Sequence, residues 1–245
     1  MTNKFDAAYK GFDTSRPFGL SWEQYCWHRH SQFLAAAESL VPGRVLDNGG
    51  AFGHFSSYVP RHWYTNSDVS EVMLSADKGD HPRIRVDGKS LPFRNDCFDN
   101  VVSLGVLRHV DDPDAYLSEC RRVLRPGGIF VLATVRKGYE RDLAFSWLFW
   151  AIGLYYLQWV IPQRLKGMFR RLSGDDVSPT SRERIAYVSY DERDLENRLT
   201  ALGFGIFRRG RFCKDLPGPV SWRFADKIVN EARFGKFTFF ACRKT

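Results

Sequence analysis

Cysteine is scarce in this 245-residue chain, and what there is follows no pattern. Cys26, Cys97, Cys120, Cys213 and Cys242 are odd in number, widely scattered and never form a CxxC pair, which excludes a metal ribbon and a disulfide-framed scaffold. No metal site is expected, and a reduced, intracellular setting is. A continuous apolar stretch is also missing from the first residues. Met1 to Pro17 interleaves Lys4, Asp6, Lys10, Asp13 and Arg16 with its apolar side chains, unlike a signal peptide, so the expected location is cytoplasmic. Internal repeats and low-complexity tracts are absent, which sets aside a solenoid or a disordered array.

What remains is an ordinary globular composition, 44% hydrophobic and 26% charged. The length suits one α/β domain with an embedded insertion. A formal net charge of +8 would favour a nucleic acid, an anionic membrane face or an acidic small molecule without choosing among them. The excess gathers at Arg164, Lys166, Arg170 and Arg171, and again at Arg208, Arg209, Arg211 and Lys214. Solvated surface is the plain explanation of such clusters.

From Arg44 to Val135 short apolar runs alternate with amphipathic stretches, the pattern of βαβ units on a parallel sheet. Strands are expected at Arg44–Asp47, Trp63–Asp68, Ile84–Asp87, Asn100–Leu104 and Ile129–Val135. Pro113–Leu124 reads as a helix packed on that sheet, stopped by Pro126, Gly127 and Gly128. Upstream, Ser21–Leu40 reads as an aromatic-rich helical cap ended by Pro42 and Gly43. Downstream, the helix Asp191–Leu202 and strands Phe204–Phe212 and Lys236–Arg243 would complete the sheet as an antiparallel pair. The expected division is a cap over 1–43, a core over 44–135, an apolar insertion over 136–189 and a closing unit over 190–245.

Three carboxylates stand at consecutive strand ends. The first strand closes on Val45-Leu46-Asp47 and runs through Asn48-Gly49-Gly50-Ala51-Phe52-Gly53 into a helix expected near His54. A strand, glycine turn and helix start make a recurrent nucleotide site, because glycine permits close approach and free backbone N–H groups face the ligand. An ordinary tight turn is the alternative. Asp68, in Asn66-Ser67-Asp68-Val69-Ser70, is placed to accept both hydroxyls of a ribose. Asp87, before Gly88 and the run Leu91-Pro92-Phe93, can accept from an adenine amino group. Each alone reads as a turn or cap residue. Together they match the rule that ligands on open parallel sheets bind beyond the carboxyl ends of the strands.

At these residues the chain resembles the class I methyltransferases of the ubiquinone/menaquinone-methyltransferase type. The resemblance rests on Val45 to Gly53, on Ser67-Asp68-Val69-Ser70 with Met73-Leu74, and on the run from Val86 to Gly128, VDGKSLPFRNDCFDNVVSLGVLRHVDDPDAYLSECRRVLRPGG. It covers about Arg44 to Val135, with looser support from Tyr190 to Phe207. It implies a Rossmann-like seven-stranded, mostly parallel sheet with helices on both faces, and S-adenosylmethionine as methyl donor. Carried over by position, Asp47, Gly49 and Gly53 shape the methionine end of the pocket, and Gly50 and Ala51 of the same turn are cofactor-binding candidates. Asp68 and Val69 take the ribose, Asp87 and Gly88 face adenine, and Leu104 and Gly105 form the floor. Ala51 departs from a family glycine and is tolerable if its φ is negative; Gly50 stands where a small residue or cysteine is common.

The sulfonium already makes the methyl carbon electrophilic, so the protein's task is to hold the acceptor in line and away from water. A general base matters only for a protonated hydroxyl or amine acceptor. His109 is the candidate, with His28, His30 and His54 as rivals, and Tyr9, Tyr25 and Trp27 are candidates for closing the pocket. A structural histidine is the commoner alternative.

Leu143 to Gln163 has no charge and is dense in aromatics, among them Phe145, Trp147, Phe149, Trp150, Tyr155, Tyr156 and Trp159. It is long enough to span a bilayer, but one crossing would divide a single sheet between two sides of the membrane. It is expected to serve as a lid, an oligomer contact or a peripheral membrane contact through 143–171, the last because of its basic flank. The implied acceptor is a small molecule, bulky and apolar or lipid-linked. The alternatives are an RNA methyltransferase, disfavoured because no RNA-binding module is visible, and a non-catalytic scaffold that kept the fold.

Overall fold

The computed structural model describes residues 4–15, 22–60, 63–138, 188–212 and 237–245. The seven strands are β1 (Arg44–Asn48), β2 (Trp63–Asp68), β3 (Arg83–Arg85), β4 (Phe98–Leu104), β5 (Leu124–Val135), β6 (Phe204–Phe212) and β7 (Phe237–Lys244). The helices are α1 (Lys4–Ala8), α2 (Trp22–Ser39), α3 (Glu71–Ala76), α4 (Pro113–Val123) and α5 (Glu192–Ala201). All seven strands form one sheet in the order β3-β2-β1-β4-β5-β7-β6, with β7 antiparallel to both of its neighbours. The expected Rossmann-like sheet is therefore present.

Alternation along the strands divides the core between two faces. Val45 and Val131 pack in one cluster with Phe33 of α2, whereas Leu46 and Leu132 pack in the other with Leu117 of α4 and Leu195 of α5. Helices thus cover both faces, as a largely parallel sheet requires. Short polar residues start the helices. Asp112 accepts from Ala115 N at 3.0 Å ahead of Pro113, Asp191 accepts from Arg193 N and Asp194 N, and Ser70 accepts from Met73 N at 3.3 Å.

Several expectations need correction. The segment after Gly53 is a five-residue 3₁₀ turn, His54–Tyr58, rather than an α-helix; few residues separate Gly53 from the start of β2 at Trp63, and Pro60 among them disfavours a longer helix. β3 ends at Arg85, so Asp87 lies two residues past the strand rather than on it. α4 stops at Val123, since Leu124 pairs with Phe98 and already belongs to β5; Arg125 to Gly127 are exposed before Ile129 resumes pairing with Asn100. Neither α1 nor α3 was anticipated.

The chain leaves β5 at Arg136 and returns beside the same strand end. Arg136 bridges to Tyr190, Tyr190 N donates to Val135 O at 2.9 Å, and Val188 N donates to Arg108 O at 2.8 Å. The apolar stretch and its basic flank lie outside the described residues. Among the described residues, no helix is long and apolar enough to cross a membrane. Of the second basic cluster, the three arginines on the edge strand β6 are paired, Arg208 with Glu38, Arg209 with Glu196 and Arg211 with Glu192, while Lys214 lies outside the described residues.

Candidate functional site

The strand order reverses where β1 stands between β2 and β4, which is the point where an open α/β sheet leaves a crevice. A cavity of about 530 Å³ opens there, a size ordinary for a small-molecule site. Its walls include Asp47, Gly49, Gly50 and Ala51 from β1 and its turn, Asp68 and Val69 from β2, and Asp87 and Gly88 beyond β3. Leu104 and Gly105 at the end of β4, with His109 just beyond, close the other side. Gly53 is not among the lining residues; it caps the 3₁₀ turn, and a β-carbon there would overlap Asp77.

The turn is tied from several directions. Gly49 N and Gly50 N both donate to Ser67 O, at 2.7 and 3.1 Å. Gly49 has φ +89°, and a β-carbon on it would occupy the space of Val106. Ala51 has φ +51°, so the condition of a negative φ is not met. An L-residue in that region costs about 1–2 kcal/mol, and the turn carries that strain. The Ala51 amide donates to Asp68 Oδ2 at 3.0 Å while Ser70 N donates to Asp68 Oδ1 at 2.8 Å.

Burial dominates the electrostatics. It pushes the Asp68 carboxyl up to about 6, against the backbone amides of Ser70, Ala51 and Val69 that favour its charge. It pushes Asp47 up to about 7, helped by nearby Asp68 and Asp77 and opposed by the Tyr64 hydroxyl, which donates to Asp47 Oδ2 at 2.6 Å, and by Arg29. Asp87 differs, being about half exposed, and its Oδ1 accepts from Lys89 N at 3.0 Å.

Of the histidines, His54 and His109 line the cavity, while His30 is engaged with the Tyr58 hydroxyl at 3.0 Å. Burial, with Arg29 adding to it, lowers His54 to about 4, so it is neutral at pH 7. His109 Nε2 accepts from Arg108 Nε at 2.9 Å, and Phe5 meets its ring edge-on at 6.2 Å. Tyr9 also lines the cavity; the side chains of Tyr25, Trp27 and His28 lie outside the described residues.

Several lining residues escaped sequence reasoning. Arg29 enters from α2, donating to Gln32 Oε1 at 3.1 Å and to Leu104 O at 3.4 Å. Tyr116 of α4 donates to Asn48 O at 2.8 Å and shares a bond with Ser103, so it braces the end of β1 from below. Its signal was only that of one more apolar position on an amphipathic helix. Lys4 and Phe5 arrive through α1, which is latched by Asp6: Ser70 Oγ donates to it at 2.9 Å and Arg85 at 3.0 Å.

The profile of the Methyltransferase domain family matches residues 46–132, the stretch that builds this cavity. The demethylmenaquinone methyltransferase of Mycobacterium sp. (strain KMS) is 35% identical over 213 residues, spanning 85% of this chain and 86% of that protein. Among solved structures, an S-adenosylmethionine-dependent methyltransferase of Thermotoga maritima superposes with a TM-score of 0.61 at 19% identity, over 98% of this chain and 99% of that one. The Burkholderia thailandensis 1,6-didemethyltoxoflavin-N1-methyltransferase, with bound S-adenosylhomocysteine, gives 0.55 at 17% identity over 91% and 80%. The chain belongs to the class I S-adenosylmethionine-dependent methyltransferases, in the ubiquinone/menaquinone-methyltransferase-like family. Its methyl donor is S-adenosylmethionine.

Proposed function

We propose that the cavity at the β1/β4 switch point holds S-adenosylmethionine and that the chain methylates a small, bulky and apolar or lipid-linked acceptor. The observation that carries the reading is the convergence of Asp47, Asp68 and Asp87 with one glycine turn on a single cavity. The donor set suits the cofactor piece by piece. Asp68, held by backbone amides that include those of Ala51 and Ser70, presents its carboxylate to the ribose hydroxyls. Asp47 and Arg29 offer one charge of each sign beside Gly49 and Gly105, matching the ammonium and carboxylate of an amino acid. Asp87 beside Val86 and Gly88 faces the adenine, and Leu104 and Gly105 supply the floor.

Bound there, the cofactor supplies an electrophilic methyl carbon, and the protein's work is orientation and exclusion of water. Phe5, Tyr9 and Phe33 give the cavity aromatic walls for an apolar acceptor. His109 is the proton acceptor where the nucleophile is a hydroxyl or amine. An Nε2 that accepts from Arg108 is unprotonated, as a base must be. The insertion is rooted beside this wall, since Val188 N donates to Arg108 O, which supports a role for 139–187 over the acceptor. The menaquinone-type relative supports an apolar acceptor.

Titration calorimetry with S-adenosylhomocysteine tests the cofactor reading. The native chain should release heat, and Asp68→Ala should bind about 100-fold more weakly, the loss of two charge-assisted hydrogen bonds. No heat from the folded native chain would sink it. Serine at Phe149, Trp150 and Tyr155 should weaken acceptor use or liposome binding and leave cofactor affinity nearly unchanged.

A further inference from the structure

We propose that Asn66 is a positioning residue for the cofactor turn, and that its grip is what lets alanine stand at 51. The inference rests on the cofactor reading above. Asn66 lies inside β2 and is fully buried. Its side-chain nitrogen donates twice, to the Ala51 carbonyl at 2.9 Å and to Asp77 Oδ2 at 2.7 Å. Two acceptors on one side decide which end of the amide carries the nitrogen.

The amide oxygen is then turned the other way, buried and without a hydrogen-bond partner among the described residues. It occupies the space into which a side chain at Gly50 would grow. Any residue larger than glycine at 50 therefore collides with Asn66, and with the Asp47 carboxyl beside it. On its nitrogen side the same amide completes a grip on Ala51, whose N–H is held by Asp68 and whose carbonyl is held by Asn66. That grip is what keeps a non-glycine residue at φ +51°. The donor is itself oriented, because Asp77 is buried and paired with His81 Nε2 at 2.8 Å. An unpaired buried oxygen is unfavourable. It persists here because the opposite end of the amide shapes the turn on which the cofactor amides are displayed.

The test combines Asn66→Ala with Ala51→Gly and reads S-adenosylhomocysteine affinity by calorimetry. Asn66→Ala should bind about tenfold more weakly. Adding Ala51→Gly should restore affinity to within about threefold of native, because glycine adopts the turn without being held. A purely structural asparagine predicts no such rescue. Native-like binding by Asn66→Ala overturns the proposal, as does a double variant as weak as the single. Should Asn66→Ala fail to fold, the double variant decides alone: folded and binding supports the proposal, unfolded overturns it. If the native chain gives no heat, the cofactor reading falls and this inference with it; if it binds and the rescue fails, only the role of Asn66 falls.

Discussion

Across β1 and β2 the buried positions include Asp47, Asn48, Asn66 and Ser67, whereas across β5 and β7 they run Ile129 to Ala133 and Phe239 to Cys242. The two wings share one sheet and comparable burial, yet one is filled with polar groups and the other with hydrocarbon. Hydrocarbon burial stabilises at about 25 cal/mol per Å², while a buried carboxylate stabilises nothing unless its charge is matched. The β5-β7 wing is the scaffold, and the β1-β2 wing is held in place by it. A binding site made of buried carboxylates and a left-handed alanine depends on stability generated elsewhere in the same domain.

The comparison is broken most forcefully on the scaffold side. Leu132→Ala should lower unfolding stability by about 2–5 kcal/mol, the range for a fully buried leucine, while the fraction that stays folded binds S-adenosylhomocysteine as tightly as native. Denaturant unfolding and calorimetry read the two separately. Equal losses in both would mean that the wings are not separable.

A smaller effect comes from pH. Burial raises Asp47 to about 7 and Asp68 to about 6, so the folded chain retains protons that the unfolded chain sheds near 4. Their contribution to stability is complete below about 4, falls as pH rises through 6 and 7 and is level above about 8. Asp47→Asn should remove its part of that fall, on the order of 2 kcal/mol between pH 4 and 7 in thermal unfolding of the ligand-free protein. Cofactor affinity should move the opposite way, tightening over the same window as the carboxylates ionise. A stability profile identical in native and variant would show that Asp47 carries its charge at no cost. The least effect is expected at the edge: Arg209→Ser breaks an exposed pair with Glu196 and should shift stability by less than about 0.5 kcal/mol, with cofactor affinity untouched.

Much of this was legible in residue order. Alternating apolar runs located all seven strands, and Asp47, Asp68 and Asp87 stood out because three carboxylates at consecutive strand ends are harder to explain as separate turn or cap residues than one. The less legible parts have a common cause. α3 is six residues and α1 five, too short for a helical period to show. Asn66, Arg29 and Tyr116 act on backbone that is distant in the chain, such as Tyr116 on Asn48 across 68 positions. Nothing adjacent to them marks that role.

Residue order by itself determined the strand count, the glycine turn and the carboxylates, because periodicity and turn chemistry are local properties of a chain. Tertiary structure alone decided that β1 would sit between β2 and β4, that burial would lift Asp47 and Asp68 toward neutrality, and that Ala51 would be held left-handed by an asparagine from the neighbouring strand. Those outcomes depend on which groups are excluded from water together, and that is settled only when distant segments pack.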